Sequence, residues 1–487
     1  MRRLLRALVV VQLAGCASLE VPLRDHLGSQ DAPLRDCASW FVALDDRVEA
    51  AGVRDAQETR VAGFPYLRVN RLLAALAPAA ASDPGAMQAL VERLARLDQA
   101  ARRAELANLP GQTSGAAQRR TDECARLLRA ADLAQPESLR RLLGRLRVPD
   151  DYSTTQRLLG LYALTRIPFA AGVRRWEAEV RTAFRRDSQE VPAAARVRYE
   201  PPALPAQAGA AALRALATAD ANALRLPEPS AGDLELLLAA HAPILEIEQS
   251  GDHDRFGKLR WLPETEVPSV DASDPVVYVD LAHTVYRGRP LLQLVYTIWF
   301  AERPAEGRGD LFAGALDGLV WRVTLAPDGE PLLYDSIHAC GCFHLFFPTP
   351  RARLLAAPDG LDEWALVPQT LARIPPDARP VVRLAARTHY VERVWFTTAA
   401  GSAARYTFHR YEELRSLARV EGGRRSAFGP DALIAGSERA ERHLFWPMGI
   451  ASAGAMRQWG RHATAFVGRR HFDDADLLEK RFVFDLK

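Results

Sequence analysis

The chain reads as an α+β protein: an all-α amino-terminal domain, then a mainly antiparallel β-rich carboxy-terminal domain built as a sandwich, a barrel or a helix-covered sheet. Three observations predict this. Apolar residues recur at spacings of three and four through the first part, as in Met87, Leu90, Leu94, Leu97 and again in Leu139, Leu142, Leu143, Leu146. A stretch rich in Pro and Ala interrupts the chain before about residue 233. Beyond it, apolar runs come in pairs around tight turns.

The elements follow in order. Residues 32–187 predict five to seven helices, with Asp83-Pro84 and Gln135-Pro136-Glu137-Ser138 as starts and Pro110-Gly111 and Pro149-Asp150 as stops. The segment 152–180 is apolar around Pro168 and is expected at the centre of this domain, with Arg174, Arg175 and Trp176 as candidates for the lining of a groove. Residues 188–232, with Pro192, Pro201, Pro202 and Pro205, read as an extended linker carrying a short helix. Residues 233–487 form the β-rich part. There VVYVDLAHTVY and LLQLVYTIWF flank a turn at Arg287-Gly288-Arg289-Pro290, and VWRVTL and PLLYDSIH flank Pro327-Asp328-Gly329. Both faces of LLQLVYTIWF are apolar, so that strand is expected to be buried on both sides. A third pairing is expected between PVVRLAARTHYVERVWF and SAARYTFHRY.

With 487 residues, 48% hydrophobic and 25% charged, the chain is ordinary globular material, long enough for two or three cores. All but Lys258, Lys480 and Lys487 of the 63 basic residues are Arg, and the net charge is only +3, so no nucleic-acid partner is implied. No nucleotide loop, metalloprotease helix, nucleophile elbow or zinc-finger spacing occurs.

The first sixteen residues, MRRLLRALVVVQLAGC, set Arg2, Arg3 and Arg6 before an apolar run too short to span a bilayer. Their end, Leu13-Ala14-Gly15-Cys16, resembles the lipobox of bacterial lipoproteins. The resemblance covers these residues alone. It implies a signal peptide over 1–15, lipidation of Cys16, a tether over 16–31, and a body held at the cell envelope, with Ala17 pointing to the outer membrane and the periplasm. Membrane, envelope proteins and small molecules are then the expected partners.

Without Cys16 four cysteines remain, in a compartment that permits disulfides. The parsimonious pairing joins Cys37 to Cys124, both in the helical part. The other two lie in SIHACGCFH, where His338, Cys340, Cys342 and His344 fall within seven positions. In a straight strand the outer pair would stand about 20 Å apart, so one metal ion requires a turn at Gly341. Zinc or copper would suit thiolate and imidazole ligands, with His283, His253 and Asp252 as more distant candidates. A redox dithiol, a catalytic thiolate and simple core packing are the other readings of the same residues. Of eleven histidines only His26 precedes His241, which favours the second part as the working domain. Arg457, Arg461 and Arg470 near the end are candidates for binding an anion. The function expected is that of an envelope lipoprotein with a Cys/His metal site, with a binding or assembly protein and a thiol redox protein as alternatives.

Overall fold

A computed structural model describes residues 20–111, 114–185, 196–203, 208–375, 377–399 and 404–486. The expected signal peptide and Cys16, and all of residues 186–195, lie outside these residues.

The amino-terminal part holds the helices Ala32–Ala50, Arg71–Ala80, Pro84–Asn108, Ser114–Leu133, Pro136–Arg145, Thr154–Leu159 and Tyr162–Ala183. Starts fall where short polar residues can accept from exposed amides: Asp31 accepts from Leu34 N, Asn70 from Leu73 N and Asp83 from Ala86 N. Cys37 and Cys124 are joined, with Cα atoms 4.9 Å apart, tying the Ala32–Ala50 helix to the Ser114–Leu133 helix.

Two expectations for this part are corrected. It is not all-α, because the antiparallel hairpin Thr59–Val61 with Phe64–Val69 sits inside it, every residue of the second strand buried. That run is short and apolar on both faces, a pattern that a buried helix turn shares. The centre is also elsewhere: Phe64, Tyr66 and Leu67 cluster with Phe41, Leu90, Leu94 and Leu128, whereas the Tyr162–Ala183 helix buries only Ala170.

The second part is built on a six-stranded sheet in the order Leu345–Pro348, Pro331–His338, Gly314–Leu325, Arg289–Arg303, Val276–Tyr286, Thr407–Arg410. The first five are antiparallel neighbours, and the last runs parallel to Val276–Tyr286. A five-stranded mixed sheet, Val391–Thr397, Arg379–Leu384, Ile244–Glu248, Arg196–Glu200, Ala404–Arg405, shares one core with it, Val382 and Leu384 clustering with Leu294, Tyr296 and Trp321. The helix Ala231–His241 adds Leu237 and Leu238 to that core.

Arg289–Arg303 is buried on both faces, as its pattern predicts: Leu292, Leu294, Tyr296 and Ile298 enter the shared core while Leu291, Val295 and Trp299 enter three others. Its turn is tighter than read from sequence, because Tyr286 pairs directly with Arg289 and the positive φ angles fall on Arg287 and Gly288. Two further differences concern pairing. The third predicted hairpin forms within PVVRLAARTHYVERVWF itself, Val382 opposite Val394, while Ala404–Arg405 and Thr407–Arg410 join different sheets. The stretch read as a linker with a short helix holds a helix, Ala208–Ala221, but also supplies a sheet strand, Arg196–Glu200. Pro201 and Pro202 only end that strand, since proline cannot donate to a ladder.

The parts are joined through buried charge. Arg415 donates to Asp55 Oδ2 at 2.7 Å and to Glu58 Oε2 at 3.1 Å, and Asn108 Nδ2 donates to the Arg415 carbonyl at 2.8 Å. Arg461 holds Asp151 through Nε at 2.8 Å.

Candidate functional site: a cavity beside the Cys340–Cys342 turn

The stretch SIHACGCFH closes one end of the six-stranded sheet. Gly341 has φ +93°, and a Cβ there would stand 2.6 Å from the Ala463 carbonyl oxygen, so only glycine fits. His338 N donates to Cys342 O at 3.0 Å and Gly341 N to His338 O at 2.7 Å, which folds the chain back so that Leu345 pairs with Ser336. Sequence reasoning placed this turn correctly.

What the turn gathers is narrower than expected. Cys340 and Cys342 meet as free thiols: Cys342 N donates to Cys340 Sγ at 3.4 Å and the two sulfurs share a hydrogen bond. That bond lowers the Cys340 thiol and, with burial, raises the Cys342 thiol, so Cys340 ionises first. The histidines go elsewhere. His344 Nε2 lies 3.0 Å from Asp335 Oδ2 in a fully buried unit that Arg322 completes by a bidentate contact at 2.9 and 2.5 Å. Burial pushes His344 down to about 3. For Asp335 burial acts upward, but Arg322 and His344 outweigh it and hold the carboxyl low.

His338 faces Asp317 instead, Nδ1 to Oδ1 at 3.4 Å. Asp317 also takes His389 Nδ1 at 2.8 Å and Arg439 at 3.2 Å, and the far nitrogen of His389 lies 3.4 Å from Asp254. The result is a buried chain of alternating carboxylates and imidazoles. The free Nε2 of His338 has no protein partner among the described residues, and the ring borders a small cavity of about 130 Å³ with Phe343, Tyr390 and Trp176.

The remaining candidates are dispersed. His283 Nε2 donates to the Pro227 carbonyl oxygen at 2.8 Å, and burial lowers it to about 4. His253 stands 3.1 Å from Ser250 Oγ, and Asp252 is exposed. In that loop the organising residue is Asp254, which accepts from Ser250 N at 2.6 Å and Arg387 N at 2.5 Å. Among the described residues no group of three or more His, Cys, Asp or Glu side chains is placed to hold a metal ion. The expected set of His338, Cys340, Cys342, His344 and His283 therefore does not fit zinc or copper in this geometry: two thiols meet, and each imidazole is engaged apart from them. Nor are the arginines open to an anion. Arg457 donates to Cys340 O at 3.1 Å and Ser452 O at 2.9 Å, Arg461 to Asp151, and Arg470 to Thr464 Oγ1 at 2.9 Å and Trp364 O at 2.9 Å.

The thiols open instead on a cavity of about 1220 Å³ between the Tyr162–Ala183 helix, the Cys340 turn and the carboxy-terminal segment. Its wall is more apolar than polar and carries several aromatic rings, among them Phe169, Trp176, Phe312, Phe343, Phe445 and Phe466. Phe169 sits edge-on to Phe445 at 5.0 Å, and Phe343 to Tyr390 at 4.6 Å. Nine Arg, Asp and Glu residues interrupt the apolar lining, among them Arg303 and Glu441. Arg303 lies over the rings of Phe312 and Tyr390 and donates to Tyr390 Oη at 3.3 Å. Glu441 is 4% exposed and its carboxylate borders the cavity. Burial raises it to about 7, against the opposing pull of Arg439 and Arg303 and with Asp317 and Asp310 adding to the rise.

Of the residues that line this cavity, Trp176, Cys340, Gly341, Cys342, His344 and Arg470 were singled out from sequence. Asp317, His389 and Glu441 are isolated polar letters, in strand, loop and turn, with no local spacing that marks them. Comparison with protein-family models, with curated proteins and with solved structures finds no match for this chain.

Proposed function

We propose that the chain is a membrane-anchored envelope protein that binds an amphipathic ligand with a long apolar body. The observation that carries this is the aromatic cavity. Its volume of about 1220 Å³ exceeds what water-filled packing defects reach, and it combines a mainly apolar wall with charged groups of both signs, as a site for an amphipathic ligand requires. Arg303 and Glu441 stand where a ligand's polar end would be recognised. Anchorage is the sequence-based part of the proposal, since no described helix is long and apolar enough to cross a membrane and a lipid on Cys16 would supply the attachment.

The test is saturable binding of cis-parinaric acid, a fluorescent fatty acid, by the purified protein. Gly172 borders the cavity on a helix, and a Cβ there meets nothing within 4 Å, so Gly172→Trp fills the space without backbone conflict. Wild type should bind at micromolar probe and Gly172→Trp at least tenfold more weakly. Absence of saturable binding by the wild type would defeat the reading.

Adjacency of the two sulfurs favours a second reading, thiol–disulfide exchange with a small disulfide that enters the cavity. Mixed-disulfide formation with oxidised glutathione, trapped at Cys340 in Cys342→Ser, would support it; inert thiols in folded protein would remove it.

A further inference from the structure

Seven of the ten large apolar side chains exposed among the described residues fall in one place: Leu158, Leu159, Leu161, Leu164, Ile167, Leu444 and Trp446. The first five range from 53% exposed at Ile167 to 74% at Leu158. Singly exposed leucines are ordinary, but a contiguous group is not.

The fold makes them contiguous. Leu158 and Leu159 end the Thr154–Leu159 helix, and Leu161, Leu164 and Ile167 follow at roughly one-turn spacing from the start of Tyr162–Ala183. The turn Trp446–Met448 packs on both helices. A Cβ at Gly160 would stand 2.6 Å from Pro447 Cβ, and Ser153 N donates to Gly449 O at 2.7 Å. Leu444 precedes Trp446 on the short helix Arg442–Phe445, whose Phe445 meets Phe169. Trp446 and Leu444 line the large cavity, as do Thr165 and Pro168 from the helix. The patch is thus the rim of the cavity mouth.

We infer that this rim docks on the surface of a lipid bilayer rich in anionic phospholipid, so that the cavity is filled from the membrane. Two features select a bilayer. First, the patch runs into an apolar cavity, which a lipid surface would supply with ligand and a protein cap would seal. Second, positive charge flanks it: Arg174 and Arg175 are exposed on the same helix with no ion pair among the described residues, and Arg442 and the exposed His443 adjoin Leu444. Acidic groups nearby are Asp362, paired to Arg166 at 3.7 Å, Glu177, paired to Arg181 at 3.3 Å, the exposed Glu179, and across the cavity Asp310, Glu306, 3.8 Å from Arg387, and Glu363, 3.8 Å from Arg470. Leucines and an indole on one side of basic residues is the composition of surface-lying membrane contacts, with the indole suited to the headgroup level.

The docking surface adds the source of the ligand to the proposed function and rests on that reading only for the cavity's role; the surface itself stands on exposure and charge. The experiment uses the chain from residue 17, which retains every described residue but has no lipid, so that anchorage cannot mimic docking. It is mixed with vesicles of phosphatidylcholine alone or with one part in four phosphatidylglycerol, and floated. Expected is co-flotation that increases with phosphatidylglycerol and weakens about tenfold or more in Leu158→Ser/Leu161→Ser/Leu164→Ser, whose side chains are too exposed to support the core. Arg174→Glu/Arg175→Glu should remove the phosphatidylglycerol dependence and leave the weaker binding to phosphatidylcholine. No flotation, or flotation unchanged by the triple substitution, overturns the inference. So does a wild-type dimer in solution that the triple substitution splits, because the patch then covers a second copy. Parinaric acid binding in vesicle-free solution is read in parallel: flotation without it defeats the cavity reading and leaves docking, and the reverse leaves the cavity and defeats docking.

Discussion

Replacing Glu441 with glutamine should change how the stability of this protein depends on pH, by an amount the site defines. The carboxyl ordinarily loses its proton near 4.5; buried against Gly454 and the cavity wall, it does so at about 7. Below about 4.5 both the folded and the unfolded chain hold the proton, so burial of this group imposes no pH-dependent cost. Between 4.5 and about 7 the unfolded chain releases it and the folded protein keeps it, so stability is lost as pH rises. Above about 7 both are ionised and the loss is complete. At roughly 1.4 kcal/mol per pH unit, the interval corresponds to about 3 kcal/mol. Glutamine has the same shape and no titration. Glu58, Asp280 and Asp473 are also raised, to about 7, 6 and 6, but they remain in both proteins and cancel in the difference. Urea unfolding followed by tryptophan fluorescence, at about pH 5 and about pH 8, should therefore show Glu441→Gln gaining about 2.5 kcal/mol on the wild type between the two conditions, the rest of the loss falling below about pH 5. Two proteins whose stabilities move in parallel across that range would refute the burial argument. It would mean that Arg303 and Arg439 neutralise the carboxylate, or that water enters the cavity freely enough to solvate it.

Three other outcomes are expected. Cys124→Ser opens a loop of 87 residues between Cys37 and Cys124, and the chain-entropy contribution of such a loop is about 4 kcal/mol, measurable as a lower urea midpoint against wild type under non-reducing conditions. Gly341→Val meets the Ala463 carbonyl and forces a β-branched residue to positive φ; it should cost about 2–4 kcal/mol and raise the rate at which Cys340 and Cys342 react with a thiol reagent, while wild-type reactivity in the variant would mean that the turn is not held. Cys16→Ser should leave an uncleaved precursor or release the body from membranes, read by fractionation and mass spectrometry; unchanged attachment with no lipid on the chain would remove the anchorage proposal.

Much of the architecture was legible in the residues because it rests on local regularity. Helix spacing, capping residues such as Asp31 and Asp83, and the two-faced apolar run of Arg289–Arg303 each follow from periods of 3.6 or 2 that burial imposes on neighbours in the chain. The Gly341 turn was legible for the same reason, as the one residue between two cysteines free to reverse the chain. The pairing of Cys37 with Cys124 followed from counting.

The site was decided by tertiary structure. Its chemistry depends on side chains that are far apart in sequence and carry no pattern: Asp317 gathers His338, His389 and Arg439 from separate elements, and Glu441 meets Gly454 and the Cys340 turn only when the carboxy-terminal loops close over the sheet. The same cause misdirected the soft-ligand reading. Sequence adjacency brought His338 and His344 next to the thiols, but each imidazole, once buried, required a hydrogen-bond partner, and carboxylates at Asp317 and Asp335 on neighbouring strand positions supplied it. The apolar segment around Pro168 was visible as apolar; that it faces outward at a cavity mouth instead of filling a core was settled by which surfaces the rest of the chain left uncovered.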